Sequence, residues 1–143
     1  MLGIIYSIIA GVSMSLQGVF NTRLSDKIGL WQANTFVQGT GFICTLIALL
    51  LTSNVNFKNI KDVNKLYLLG GVLGAIIIFA VMKGIKSLGI TCSISIILIS
   101  QLLFAGLIDS FGLFSTPAVK FHVYNFIGIT FMILGIIIFK CKG

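Results

Sequence analysis

The sequence contains no glutamate, only three aspartates and one histidine, and charged residues make up 9% of its 143 positions. A soluble domain usually carries about 25% charged residues. General acid–base catalysis needs titratable side chains close together, and metal sites need clusters of histidine, cysteine or carboxylate ligands. Neither can be assembled here, because His122 stands alone and no Ser/His/Asp set or phosphate-binding glycine loop occurs. We therefore predict that the protein is not an enzyme and holds no metal and no cofactor.

Cysteine is also scarce. The three cysteines form an odd set without a CxxC spacing; Cys44 and Cys92 fall inside apolar segments, and Cys141 lies near the C-terminus. This pattern favours packing residues over disulfides or metal ligands. No basic residue precedes the first apolar segment, as one would in a secretory signal, so we expect that segment to remain in the mature protein.

Apolar residues are abundant: they make up 57% of the sequence, and the mean hydropathy is +1.12. A bilayer core needs about 20 apolar residues per helix. The apolar runs are continuous, which favours helices over a membrane barrel, because barrel strands alternate apolar and polar residues. We predict an all-α polytopic membrane protein, a single domain of five transmembrane helices, with a short break at Lys83 to Ser87 between the third and the fourth. The predicted helices cover about 2–22, 31–52, 66–82, 88–110 and 121–139.

The formal net charge of +7 comes from ten basic residues that flank the apolar segments. Basic residues at such places anchor helices at lipid headgroups, so we predict a bilayer partner and no nucleic-acid partner. Alternation through five spans puts four basic residues on one membrane face and six on the other. This bias gives a weak preference for a cytoplasmic C-terminus, and it leaves a single orientation and a dual topology both open. The first face carries Lys58, Lys61, Lys65 and Lys120; the second carries Arg23, Lys27, Lys83, Lys86, Lys140 and Lys142.

Amide side chains recur at helical spacing in the first two predicted helices. Gln17 and Asn21 share one stripe of the first helix, and Asn34 and Gln38 share one face of the second. An amide without a partner is costly in hydrocarbon, so these side chains must face protein, water or substrate. Both hydrogen bonding between helices and a substrate or pore role remain open for them.

Small residues form stripes that let neighbouring helices approach closely. The first helix carries small residues at spacings of three or four, and the third opens with two overlapping small-xxx-small pairs. We predict a packing role for both sets. The predicted packing residues are Gly11, Gly18, Gly70, Gly71, Gly74 and Ala75.

The fourth predicted helix carries Ser93 and Gln101 on one face and Asp109 near its end. Gln101 lies near the middle of the span, where a polar side chain is a candidate for a functional site. Asp109 has two interpretations: it carries a coupling proton or cation, or it anchors the helix at the interface as a partner of a lysine.

These motifs in order resemble the YdcZ-like family of half-size proteins in the drug/metabolite transporter superfamily. The resemblance rests on Gln101 and on four strings: Gln17-Gly18-x-x-Asn21, Phe36-x-x-Gly39-Thr40, Gly70-Gly71-x-x-Gly74-Ala75 and Asp109-x-Phe111-Gly112. It implies a transporter-like fold in which two units pair. It also implies that Gln17, Asn21 and Gln101 are the positions to test for contact with the pore or the substrate. The small multidrug-resistance proteins of that superfamily carry a glutamate in their first helix, and here only amides that cannot titrate are present.

The function predicted from the residues and the resemblance together is secondary transport of a small solute or ion across a bacterial plasma membrane. The transporter would be a homodimer or a heterodimer, in which inverted subunits share a cavity at the faces of the first and fourth helices. The alternatives are a passive dimeric pore and a non-transporting subunit of a heteromer. Amides at the cavity would suit a neutral, zwitterionic or weakly charged solute.

Overall fold

The computed structural model describes residues 2–52, 60, 63–119 and 122–141, with side chains described up to residue 138. That part of the chain is helical and contains no strand, which confirms the predicted all-α fold. Four helices are long and apolar enough to cross a membrane, and the fifth is a shorter apolar helix. The α-helices are α1 (Leu2–Ile28), α2 (Leu30–Leu50), α3 (Gly70–Leu88), α4 (Ile90–Phe111) and α5 (Val123–Cys141); 3-10 helices cover Lys65–Leu69 and Leu113–Ser115.

Two helices are longer than predicted. α1 continues beyond Thr22 to its end, and α3 continues through the predicted break at Lys83 to Ser87. These two predictions were wrong because charged residues mark the end of an apolar span, whereas lysine, arginine and leucine are good helix formers. Each helix ends instead just before a glycine with positive φ, Gly29 at 94° and Gly89 at 79°.

The other helix ends lie closer to the prediction. α2 ends at Leu50, and the Lys65–Leu69 3-10 helix precedes α3, with the Asn64 side chain accepting the Leu66 N–H at 3.1 Å. α4 ends one residue before Gly112, whose φ of 58° is the left-handed helix cap that glycine favours. α5 begins at Val123, and the predicted start at 121 lies outside the described residues.

Gly89 offers a direct test of backbone conformation before α4. A Cβ there would meet no atom within 4 Å, so Gly89→Ala probes the φ angle alone. We expect it to lower the free energy of unfolding by about 1–3 kcal/mol, because φ 79° with ψ 168° is a backbone region essentially restricted to glycine. The measurement is unfolding of purified protein in mixed micelles. Gly39→Ala is the control: its Cβ also meets nothing within 4 Å and lies inside α2, where alanine gains up to about 1 kcal/mol over glycine. Equal losses in the two variants would contradict the prediction.

The chain divides into two compact units, Met1–Ser87 and Leu88–Gly143. In the first unit, the buried positions cluster where α1 ends, α2 begins and α3 ends. Met82 is fully buried against Ala33 and Ile78, and Leu24 and Val37 pack around them. The opposite ends of the same helices, residues 2–14 of α1 and 39–48 of α2, are exposed. Among its described residues, the first unit is therefore packed at one end, where these three helix ends meet.

Two further contacts close the packed end of the first unit. Trp31 of α2 stacks on Phe79 of α3, with ring centroids 4.7 Å apart. Lys86 near the end of α3 forms an ion pair with Asp26 near the end of α1, with Nζ 2.9 Å from Oδ1. Both charged side chains remain partly exposed, so water screens the pair and it stabilises the fold only weakly. Lys86, predicted to be a headgroup anchor, therefore has a protein partner.

Candidate functional site

Two amides of α2 bind two backbone carbonyls of α3. Asn34 donates from Nδ2 to the carbonyl oxygen of Ala75 at 2.8 Å, and Gln38 donates from Nε2 to that of Gly71 at 3.4 Å. The amides are one helical turn apart, and so are the carbonyls, with the order reversed because the two helices run antiparallel. We call these four residues the amide clasp. Asn34 and Gln38 were both predicted as substrate or pore residues. In the amide clasp their N–H donors instead bind a neighbouring helix.

Gly74 makes room for the amide clasp. A Cβ at this position would lie 3.2 Å from Nε2 of Gln38, which is tighter than ordinary contact. By contrast, a Cβ at Gly70 or Gly71 would meet nothing within 4 Å. Of the predicted packing glycines of α3, Gly74 thus leaves little space for a side chain beside α2, whereas a Cβ at Gly70 or Gly71 would point into space free of described atoms.

Gly74→Leu and Gly70→Leu form a matched pair, one helical turn apart on α3. We expect Gly74→Leu to lower the free energy of unfolding by about 1–3 kcal/mol, because overpacking displaces Gln38 and separates the two helices. Gly70→Leu should change it by less than about 0.5 kcal/mol, since the added side chain meets open space. Chemical unfolding of both variants in the same detergent is the measurement. A larger loss for Gly70→Leu would show that Gly74 is not the tight position between the two helices.

The oxygen of the Asn34 side chain is an unsatisfied acceptor. Asn34 is 3% exposed, and its Oδ1 is the only fully buried side-chain nitrogen or oxygen within the described residues that has no hydrogen-bond partner. The amide cannot be turned round, because its nitrogen must face the Ala75 carbonyl, which only accepts. An unsatisfied buried acceptor costs about 1–3 kcal/mol. The polar side chain is therefore not explained by stability alone.

Buried polar residues surround the packed end of α1. Thr22 donates its hydroxyl to the Gly18 carbonyl at 2.7 Å, and Ser25 donates to the Thr22 carbonyl at 2.8 Å. Asn21 is 6% exposed, and its side chain forms no hydrogen bond to any described residue. Gly18, predicted to pack, is buried in the same region. Thr22 ends the stripe of small residues predicted on this helix; sequence reasoning missed Ser25, which continues that stripe one turn further.

The two mid-helix glutamines differ from the helical hydroxyls. Ser15 and Ser100 satisfy their own hydroxyls by donating to carbonyls one turn earlier, at 3.0 and 2.9 Å. Gln17 of α1 and Gln101 of α4 are exposed, and neither side chain has a hydrogen-bond partner within the described residues. Each lies near the midpoint of a helix that is apolar enough to cross a membrane. An amide at such depth requires a partner from outside the chain as described.

The predicted packing stripe at the start of α1 is uncovered. Gly11 is exposed, and a Cβ there would meet nothing within 4 Å. Ser7 and Ser15 on this stripe donate to carbonyls of their own helix. Within the part of the chain that the structure describes, no neighbouring helix reaches this stripe.

In the second unit, the predicted residues are dispersed along α4. Ser93 is 3% exposed, Gln101 is exposed at mid-helix, and Asp109 is exposed in the last turn of the helix. Asp109 lines a groove with Tyr124 and Asn125 of α5, which sequence reasoning missed. A polar asparagine in the first turn of an otherwise apolar helix was the signal that could have pointed to it.

Metal-binding clusters are absent within the described residues: no three of their histidine, cysteine, aspartate or glutamate side chains come together. Cys44 and Cys92 are free thiols, the first exposed and the second half-buried. The side chain of Cys141 lies outside the described residues.

A comparison with known families matches residues 2–138 to the family described as "Putative inner membrane exporter, YdcZ". No curated protein and no solved structure matches the chain. The matched segment contains all the candidate residues named above, from Gly11 to Asp109. The chain therefore belongs to the YdcZ family, and it is a multi-pass protein of the bacterial inner membrane.

Proposed function

We propose that the protein exports a small solute as a secondary transporter, working as a dimer of two chains in inverted orientation. The solute would bind in a cavity lined by the α1 and α4 faces of the dimer, with Gln17 and Gln101 as its central contacts. Alternating access would then come from rocking one subunit against the other around that site.

The observation that carries the proposal is the pair of mid-helix amides without partners. Gln17 and Gln101 are exposed at the depth where hydrocarbon would surround them, while neighbouring hydroxyls such as Ser100 satisfy themselves. Polar residues inside a membrane face a bundle interior or a water-filled cavity, and they mark pathways for substrates. A cavity shared with a second subunit supplies the missing partners.

The exposed glycines support a second subunit. A Cβ added at Gly11, Gly41 or Gly71 would meet no described atom within 4 Å. Small residues at helix surfaces allow close backbone contact between membrane helices. The nearly balanced basic residues on the two membrane faces also suit subunits that insert in both orientations.

The kind of solute follows from the side chains proposed for the cavity. Amides donate and accept hydrogen bonds but do not titrate. A cavity built on Gln17, Gln101, Asn21 and Ser93 would therefore recognise a neutral or zwitterionic solute through hydrogen bonds. Asp109 stands apart from this set, near the end of α4.

Purified protein in liposomes tests the proposal, with isotope exchange and electrical recording against a panel of small neutral and zwitterionic solutes. We expect saturable flux that unlabelled solute on the opposite side accelerates, as in a carrier. Flux without saturation would replace the carrier with a pore. Absence of flux from folded, dimeric protein would favour a subunit that needs a different partner chain.

A further inference from the structure

A groove runs between α4 and α5 in the second unit, with a volume of about 540 Å³. One end is polar, where Asp109 faces Tyr124 and Asn125. The remainder is apolar and lies deeper along the two helices, with Leu102 and Met132 on its walls. Leu102 precedes Asp109 by two helical turns, a drop of about 10 Å. The groove is therefore amphipathic along its length.

Two glycines and the end of α4 shape this groove. Gly106 and Gly128 line it, and a Cβ at Gly128 would meet nothing within 4 Å, so the space above it is open. At the end of α4, the Val119 N–H donates to the Asp109 carbonyl at 2.8 Å, which ties the following connection to the helix. Since α4 is long and apolar enough to span the membrane, we expect its last turn to lie at the level of the lipid headgroups.

The groove has a carboxylate at its polar end, that of Asp109. Asp109 is the only acidic residue in the second unit, 88–143. Its carboxylate is exposed and forms no ion pair or hydrogen bond with any described residue. Such a carboxylate attracts an ammonium group and repels the phosphate of an anionic lipid. Tyr124, which is 83% exposed, and Asn125 add a hydroxyl and an amide at the same level.

We propose that this groove binds a membrane phospholipid with a primary amine headgroup, of the phosphatidylethanolamine class. The ammonium donates to Asp109, and one acyl chain lies along Leu102, Gly128 and Met132. Lipid tails are as apolar as the groove, so exchanging one lipid for another changes the free energy of the acyl-chain contacts little. The headgroup at Asp109 therefore sets the preference. This site is independent of the proposed transport cavity.

Native mass spectrometry of the full chain, released from mixed vesicles of phosphatidylethanolamine, phosphatidylcholine and phosphatidylglycerol, measures this preference. We expect phosphatidylethanolamine to be retained about tenfold over each of the others, because only its headgroup brings ammonium N–H donors to the carboxylate. Asp109→Asn should remove most of this preference. Asp26→Asn is the charge control: it removes an equal charge that belongs to the Lys86 ion pair and does not line the groove.

A second variant tests the groove itself without changing charge. Gly128→Leu should fill the groove and lower the retained lipid about tenfold. Gly135→Leu is its control, two turns further along α5, where a Cβ also meets nothing within 4 Å but the residue does not line this groove. Wild-type retention in both Asp109→Asn and Gly128→Leu would overturn the proposal, and so would a preference for phosphatidylglycerol. Loss of dimer in Gly128→Leu with unchanged lipid retention would assign the groove to a second copy and overturn it too.

Discussion

Gln101→Ala is expected to lower solute flux at least about tenfold while the protein stays folded. The amide lies at mid-helix with no partner in the described chain, so its removal takes away no internal hydrogen bond. If it binds solute, each subunit loses a hydrogen bond worth about 0.5–1.5 kcal/mol. Two equivalent losses in a dimer compound to roughly a tenfold effect or more. The measurement is initial flux in liposomes at solute concentrations below saturation, with circular dichroism to confirm helix content.

The adjacent residue provides the control for this prediction. Ser100→Ala also removes an exposed polar group from α4, but this hydroxyl donates to the Ile96 carbonyl of its own helix. Its flux should remain within about twofold of the wild type. Equal losses in both variants would indicate a general disturbance of α4 and not a contact with solute. Undiminished flux in Gln101→Ala would remove Gln101 from the proposed cavity.

Asn34→Leu is expected to leave stability unchanged or raised, and to lower flux. The leucine removes the bond to the Ala75 carbonyl, worth about 0.5–1.5 kcal/mol, and also the unsatisfied Oδ1, which costs about 1–3 kcal/mol. These effects nearly cancel, or they favour the apolar residue. The Ala75 carbonyl keeps its own helical hydrogen bond. Unfolding in mixed micelles and flux in liposomes, measured on the same preparation, separate the two effects.

Asn34→Asp is the contrasting variant at the same position. It keeps the shape of the side chain but replaces the donor with an acceptor that faces the Ala75 carbonyl. Without its donor, the buried site should lose more than about 2 kcal/mol in unfolding free energy. If Asn34→Leu were as destabilising as Asn34→Asp, the amide would serve the fold. Retained stability with lost flux would instead identify Asn34 as polar for the sake of function.

The sequence predicted the helical membrane fold because long apolar runs with few charges leave little choice in a bilayer. It misplaced the ends of α1 and α3, because the edge of an apolar span and the end of a helix are set by different forces. Lys83 and Lys86 interrupt the apolar run but support the helix, and Gly89 ends it through its backbone angle. Taking Gly89 as the end of the helix, and not Lys83 and Lys86, would have placed that boundary correctly.

Less of the candidate site could be predicted. The i, i+4 spacing of Asn34 and Gln38 indicated that both amides share a face, but not that the carbonyls of Ala75 and Gly71 would receive them. Such a contact depends on which helices become neighbours and in what register. Hydrogen bonding between helices was one of the two roles left open for these amides, and in the structure their N–H groups do donate to a neighbouring helix. It does not describe the Oδ1 of Asn34, which has no donor.

The central claim is that Gln101 lines a polar cavity, and the reactivity of a thiol at that position tests it most directly. Gln101→Cys would be made in a background without Cys44, Cys92 and Cys141, and treated in membranes with a small charged thiol reagent. Leu98→Cys, one turn earlier on α4, is the control at an exposed apolar position, where we expect lipid to exclude the charged reagent. We predict rapid labelling of Gln101→Cys, slowed by transported solute, and little labelling of the control. Complete protection of Gln101→Cys in folded protein would contradict the claim.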